Sequence, residues 1–144
     1  MVLNMPVTFL PGVKRIAVVG ASRNPEKWGY KVLVALKTKY PDVELFPINP
    51  NASEIAGIKA YKSIEELPIV PDMVITVVKP EITEKVVETA KKIGVKIIWM
   101  QPGSESDEAI KKAEEAGIKV FHHTCIIESS DMGRIAFRFS GPRR

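Results

Sequence analysis

The sequence predicts an α/β fold: one doubly wound domain with a mainly parallel five-stranded sheet. Two observations carry this. Short apolar, β-branched runs alternate with amphipathic stretches almost from end to end of the 144 residues, and near-continuous apolar strands need cover on both faces. The first run, over residues 16–19, ends at Gly20, passes through a polar loop and enters an amphipathic helix. In open α/β sheets that junction is where phosphate groups bind, because loop amides and the helix N-terminus point at the ligand.

Taken in order, residues 14–19 read as the first strand, 28–40 as a helix and 43–48 as the second strand, with Pro41-Asp42 as helix stop and turn. The segment 49–71 is longer and less regular, with an extended piece at Ala60-Tyr61 and a helical turn over 64–67 introduced by Ser63. Residues 72–78 read as a buried strand from the run Met-Val-Ile-Thr-Val-Val. A helix over 81–93 follows, opened by Pro80 and closed by Gly94. A strand over 95–100, a helix over 105–116 ended by Gly117, and a last core strand over 118–121 complete the pattern. The core thus spans about 14–128, with an arm over 1–13 and an extension over 129–144. Numbering core strands along the chain, the expected spatial order is 3-2-1-4-5, with right-handed crossovers.

A chain of 144 residues fits one domain and can bury roughly two-thirds of its unfolded surface. With 45% hydrophobic and 26% charged residues, wholesale disorder is excluded. Apolar runs of about five residues fall far short of a membrane span. Residues 1–10 are apolar but lack a basic start and are broken by Pro6, so they read as an arm rather than a secretory signal. The single cysteine, Cys125, permits no intrachain disulfide and points to a reducing cytoplasm. The formal charge of +4 is mild, and Arg134, Arg138, Arg143 and Arg144 contribute disproportionately to it. Interleaved with Phe137 and Phe139, these arginines suit a finishing strand better than a nucleic-acid arm. The stretch over 133–140 is the expected edge for pairing two copies.

Ligands of doubly wound sheets sit beyond the carboxyl ends of the strands, at the switch point between the two halves. Those ends read Gly20-Ala21-Ser22-Arg23-Asn24, Asn49-Pro50-Asn51, Val78-Lys79-Pro80-Glu81, Gln101-Pro102-Gly103-Ser104 and residues 122–127. Any one of them is ordinary turn chemistry. Five converging in one place, the first shaped for phosphate, predict a ligand crevice. Ala21 and Ser22 follow Gly20 directly, so the second and third glycines of the dinucleotide fingerprint G-x-G-x-x-G are missing. The second strand runs out into Asn49-Pro50, without the acid that holds the ribose diol of NAD. An adenosine with an extra phosphate suits this site better, since a carboxylate would repel it. Arg23, Lys27 and Lys79 are the cations expected to meet phosphates.

Several short motifs then fall in a specific order: Gly20-Ala21-Ser22; Phe46-Pro47-Ile48-Asn49-Pro50 followed by Glu54-Ile55-Ala56-Gly57; Tyr61-Lys62-Ser63; Val77-Val78-Lys79-Pro80; and Trp99-Met100-Gln101-Pro102-Gly103. Over about 14–128 the chain resembles the stand-alone CoA-binding proteins, which are similar to the N-terminal domain of the succinyl-CoA synthetase α subunit and of ADP-forming acyl-CoA synthetases. The resemblance implies a Rossmann-like domain binding coenzyme A. In it the loop after the first strand holds the diphosphate, Asn49-Pro50 flanks the adenosine, residues 77–80 contact the adenine side, and Gln101-Pro102-Gly103 lines the far half. Relatives often carry a basic residue straight after Asn-Pro, suited to the ribose 3′-phosphate, whereas this chain has Asn51.

His122-His123-Thr124-Cys125 offers zinc-type ligands, but structural zinc takes four from well-spaced pairs, and these are the chain's only histidines and cysteine. Adjacent side chains at a strand end point in opposite directions, so at most one histidine faces the crevice. The cluster reads as a satisfied loop, with no metal and with Cys125 near the thiol end of CoA, where a mixed disulfide could form under oxidation. Trp99 reads as core and Trp28 as the more exposed tryptophan, over the phosphate loop. The expected function is binding of coenzyme A or an acyl-CoA without catalytic machinery of its own, as a carrier or a CoA-responsive regulator docking to a CoA-dependent enzyme. The related synthetases use a phosphorylated histidine from a second domain, which neither His122 nor His123 matches. The alternative is an NAD(P)-binding enzyme or redox sensor in the same crevice, opposed by the missing glycines and the missing acid.

Overall fold

Strand β1, Arg15–Val19, turns Ile16 and Val18 to one face of the sheet and Ala17 and Val19 to the other, and all four are buried. Such a strand is stable only when both faces are covered. The structure, a computed structural model, describes residues 12–126. After β1 come helix α1 (Trp28–Lys39), strand β2 (Glu44–Ile48) and a small antiparallel hairpin of β3 (Glu54–Ile55) and β4 (Ile58–Lys59). A 3-10 turn (Ile64–Glu66) leads to β5 (Met73–Thr76), α2 (Pro80–Ile93), β6 (Ile97–Met100), α3 (Asp107–Glu115) and β7 (Lys119–Phe121). β1, β2, β5, β6 and β7 pair in parallel as a five-stranded sheet. This is the Rossmann-like α/β fold the sequence predicts.

On one face α1 buries Val32, Leu33 and Leu36 against Ile16, Val18, Met73, Ile75 and Trp99. On the other, α2 packs through Val87 and Ala90, and α3 through Ala109 and Ala113, onto Ala17, Val74, Ile98 and Met100. Each fully buried aliphatic side chain contributes about 1.5–3 kcal/mol. α2 and α3 are also tied to each other. Ser106 Oγ accepts from Ala109 N at 3.0 Å and donates to Glu84 Oε2 at 2.7 Å. Glu88 meets Lys112 at 3.3 Å and Lys91 at 3.5 Å.

The strand order corrects one expectation. It is β2-β1-β5-β6-β7, or 2-1-3-4-5 in core strands, rather than 3-2-1-4-5. The third core strand, β5, lies on the far side of β1 from β2. Pro47 explains why β2 is an edge: it has no N–H to give a further strand, and proline within a sheet is confined to edges. The outer flank of β2 is instead closed by Tyr61, whose N–H donates to Pro47 O at 2.9 Å and whose carbonyl accepts from Asn49 N at 2.8 Å. With that place filled, the chain crosses the opposite face through Ile64 and enters beside β1.

Element ends otherwise shift by a residue or two. The strand expected over 72–78 stops at Thr76, and Asp72 instead turns back to β1, its Oδ2 accepting from Lys14 N and Arg15 N at 2.9 Å each. α2 opens with Pro80 and ends at a left-handed Gly94, as expected. Trp99 is fully buried, its Nε1–H donating to Thr124 O at 3.0 Å, whereas Trp28 is 49% exposed. Among the described residues no helix is long and apolar enough to cross a membrane. Most of the expected arm, the extension over 129–144 and the pairing edge over 133–140 lie outside the described residues.

Candidate functional site

The chain runs from β1 outward to β2 and later returns on the other side of β1 as β5, so the topological switch point lies between β1 and β5. Ligands of such sheets bind beyond the strand ends at that point. The loops leaving β1 and β5 touch there. Gly20 has φ +98°, a left-handed conformation that glycine adopts without strain, and a Cβ on it would run into the carbonyl of Val77 and lie 2.8 Å from Val78 Cγ1. Gly29, in the first turn of α1, is equally constrained, because a Cβ there would collide with the carbonyl of Gly20.

Two cavities open on either side of this contact and share Gly20, Lys27, Val77, Val78 and Lys79, making one groove with a waist and two lobes. One lobe, about 700 Å³, lies between the Ala21-Ser22 and Asn49-Pro50-Asn51 turns and a face of α2 bearing Ile82, Lys85, Val86 and Thr89, with Lys62 and Ser63 also in its wall. The other, about 560 Å³, is walled by Trp28, Pro80, residues 101–104 and Cys125. The volumes suit a small-molecule or cofactor ligand.

Charge in the groove is one-sided. Lys27 and Lys79 are the N-cap residues of α1 and α2, and neither helix start carries a side-chain cap. Two positive helix ends with a lysine each therefore meet at the waist, an arrangement whose geometry and charge suit an anion. Lys62 and Lys85 add two cations in the larger lobe. Among the described residues, no Asp or Glu lines either lobe.

Several polar side chains hold the walls in place. Asn49 Nδ2 donates to Ala21 O at 2.8 Å while its Oδ1 accepts from Asn51 N at 2.7 Å, joining the turns after β1 and β2. Gln101 is buried; its Oε1 accepts from Ile126 N at 2.8 Å and its Nε2 donates to Cys125 Sγ at 3.3 Å. Ser104 Oγ bonds to Gln101 O at 2.7 Å and Thr76 O at 3.0 Å. Glu105 accepts from Gly103 N at 2.7 Å and meets His123 Nε2 at 3.3 Å, linking the loop after β6 to the one after β7. His123 also contacts His122.

Residues 14–130 match the CoA-binding domain family. The chain belongs to that family. It is 37% identical over 110 residues to the α subunit of the ADP-forming acetate–CoA ligase II of Pyrococcus furiosus, a match covering 74% of this chain and 24% of the ligase subunit. It thus spans about a quarter of that relative's length. It is 32% identical over 113 residues to the uncharacterized protein YneT of Bacillus subtilis, covering 78% of this chain and 82% of YneT. In structure it resembles a conserved hypothetical protein from Pyrococcus furiosus, with TM-score 0.74, 40% identity, and coverage of 79% of this chain and 97% of the other.

Of the residues singled out from sequence, this CoA-binding domain brings Gly20, Ala21, Ser22, Lys27, Asn49, Pro50, Val78, Lys79, Pro80, Gln101, Pro102, Gly103 and Cys125 to the groove. Arg23 and Asn24 line neither lobe. Asn24 instead shapes its own loop, its N–H donating to Ser22 Oγ at 3.0 Å and its Oδ1 accepting from Glu26 N at 2.9 Å. Sequence reasoning missed Gly29, Lys62, Lys85 and the α2 face. The signal for that face was present: Ile82, Val86 and Thr89 recur at helical spacing beside, not on, the buried stripe of Thr83, Val87 and Ala90.

Proposed function

We propose that this protein binds coenzyme A, or an acyl-CoA, along the groove at the β1–β5 switch point. The observation that carries the reading is the meeting of two uncapped helix starts, each with a lysine at its N-cap, at the waist between two lobes. That arrangement matches a ligand with a diphosphate in its middle, a nucleoside at one end and an uncharged arm at the other. The diphosphate occupies the waist, against Gly20, Lys27 and Lys79. The adenosine lies in the larger lobe, between the Asn49-Pro50 turn and Ile82 of α2. The pantetheine arm runs past Trp28 and Pro102 toward Cys125. Membership of the CoA-binding domain family supports the ligand's identity.

The domain's role is to hold the cofactor rather than transform it. Gln101 and Ser104, the buried polar side chains of the smaller lobe, are engaged with the protein itself. Their bonds position a wall and leave the reaction to a partner. In that role the protein serves as a carrier or a CoA-responsive regulator of a CoA-dependent enzyme, in keeping with the relatives in which such a region forms about a quarter of a ligase subunit.

Thermal unfolding with CoA, dephospho-CoA, NAD⁺ and NADPH tests the reading. A ligand at about one hundred times its dissociation constant stabilises by roughly 2.7 kcal/mol, which raises Tm by several degrees in a domain of this size. The expected result is a shift with CoA and little with the nicotinamides. A shift with NADPH alone would overturn the proposal.

A further inference from the structure

The larger lobe contains two lysines that the diphosphate does not require. Lys62 sits in the turn after β4, which Tyr61 fixes to the edge of β2 through bonds to Pro47 O and from Asn49 N. Lys85 projects from the second turn of α2 on the face that carries Ile82 and Thr89. They come from elements distant in sequence, yet both line the lobe whose mouth is the Asn49-Pro50-Asn51 turn.

Three of the acids near them in sequence are engaged elsewhere. Glu65, the middle residue of the 3-10 turn, pairs with Lys92 at 3.4 Å. Glu84 accepts from Ser106, and Glu88 meets Lys91 and Lys112. Glu81, one turn before Lys85, makes no ion pair among the described residues. Lys62 and Lys85 are exposed and likewise have no acidic partner among those residues. Two like charges therefore stand in the wall of one lobe that no Asp or Glu lines among the described residues, an arrangement that favours an anion there. Asn51, at the mouth, is neutral, and its N–H is already taken by Asn49 Oδ1.

We propose that Lys62 and Lys85 together form the site for a phosphate monoester on the ribose of the bound nucleotide, and that this pair selects CoA over dephospho-CoA. The pair supplies from two other elements the charge that the position after Asn49-Pro50 lacks. The inference rests on the reading of the groove as a coenzyme A site. A phosphate monoester approaches a double charge near neutral pH, so two ammonium groups balance it.

The test is calorimetric titration of CoA and dephospho-CoA into the wild type, Lys62→Gln, Lys85→Gln and the double variant. Both lysines are exposed, so the variants keep the fold. The wild type is expected to bind CoA at least about tenfold more tightly than dephospho-CoA, the size of one charge-assisted hydrogen bond. The double variant is expected to bring the ratio close to one through loss of CoA affinity, with dephospho-CoA changed by less than about twofold. Adding Asn51→Lys to the double variant should restore part of the preference. Salt should weaken CoA binding more steeply than dephospho-CoA binding in the wild type alone. Equal binding of both ligands by the wild type, or equal losses for both in the double variant, overturns the lysine pair and leaves the coenzyme A site standing. Failure of the wild type to bind either ligand overturns both.

Discussion

The α-carbon of Gly29 lies against the carbonyl of Gly20, so close that a methyl group at position 29 could not be accommodated. This contact seats the start of α1 directly behind the β1 loop and sets the waist of the groove. In the dinucleotide fingerprint the third glycine allows this helix-to-strand approach. Here the same role falls to a glycine nine positions after Gly20.

Gly29→Ala tests the contact. In an unconstrained helix the change would stabilise by about 1 kcal/mol. Here overpacking should outweigh that gain and destabilise by about 1–3 kcal/mol, read by urea denaturation. CoA affinity should fall as well, since the displaced element carries Lys27. A variant as stable as the wild type would show that the helix start is not pinned.

Asn49 was expected to flank the ligand, and the structure gives it a second task as the bridge between two turns. Asn49→Ala should remove both bonds and cost about 1–2 kcal/mol in stability. Asn49→Asp separates the two halves of that role. The acid keeps an acceptor for Asn51 N but sets an oxygen against Ala21 O, and it adds negative charge beside the larger, lysine-lined lobe. Calorimetry should therefore show a larger loss of CoA affinity for Asp than for Ala. The reverse order would mean that the bridge, not the charge of the lobe, governs binding.

The sheet, its helices and most of the groove were legible because they depend on local pattern: apolar runs of strand length, helix stops, and turn residues at strand ends. The position of β5 was not, since it depends on what occupies the far edge of β2. Pro47 was the available clue, a proline inside a strand otherwise readable as central. Lys62 and Lys85 escaped for a related reason. Lys85 is an unremarkable surface lysine of its helix, Lys62 stands out only as part of the Tyr61-Lys62-Ser63 motif, and only the crossing from Tyr61 to α2 puts both in one wall. Gln101 lines the smaller lobe, but its bonds to Cys125 and Ile126 join two strand ends and leave no trace in sequence spacing.

Gln101→Leu should destabilise more than its small change in volume suggests. It strips Ile126 N of its buried acceptor, a loss of about 1–3 kcal/mol, and removes the donor to Cys125 Sγ. The stability loss should be visible in chemical denaturation. Alkylation of Cys125 offers a second readout, because the thiol's wall is no longer held by Nε2. Faster alkylation at unchanged global stability would place the effect locally; an unchanged rate in a destabilised variant would show that Gln101 does not position the thiol.

The clamp between α2 and α3 predicts a small dependence of stability on pH. The Lys112 ammonium hydrogen-bonded to Glu88, aided by the charge of Lys91, holds the Glu88 carboxyl below its ordinary value of 4.5. A carboxyl depressed in the folded state binds its proton more readily once unfolded. Its contribution is therefore complete above the unfolded value and is lost as pH falls through the lower, folded one. Because Glu88 is on the surface, the effect is modest and screened by salt. The Tm of the wild type should exceed that of Glu88→Gln slightly near pH 7, with the gap closing as pH falls below the lowered carboxyl value, or in about 1 M salt. A gap that persists in acid would mean that the side chain contributes through packing between the two helices instead of through its charge.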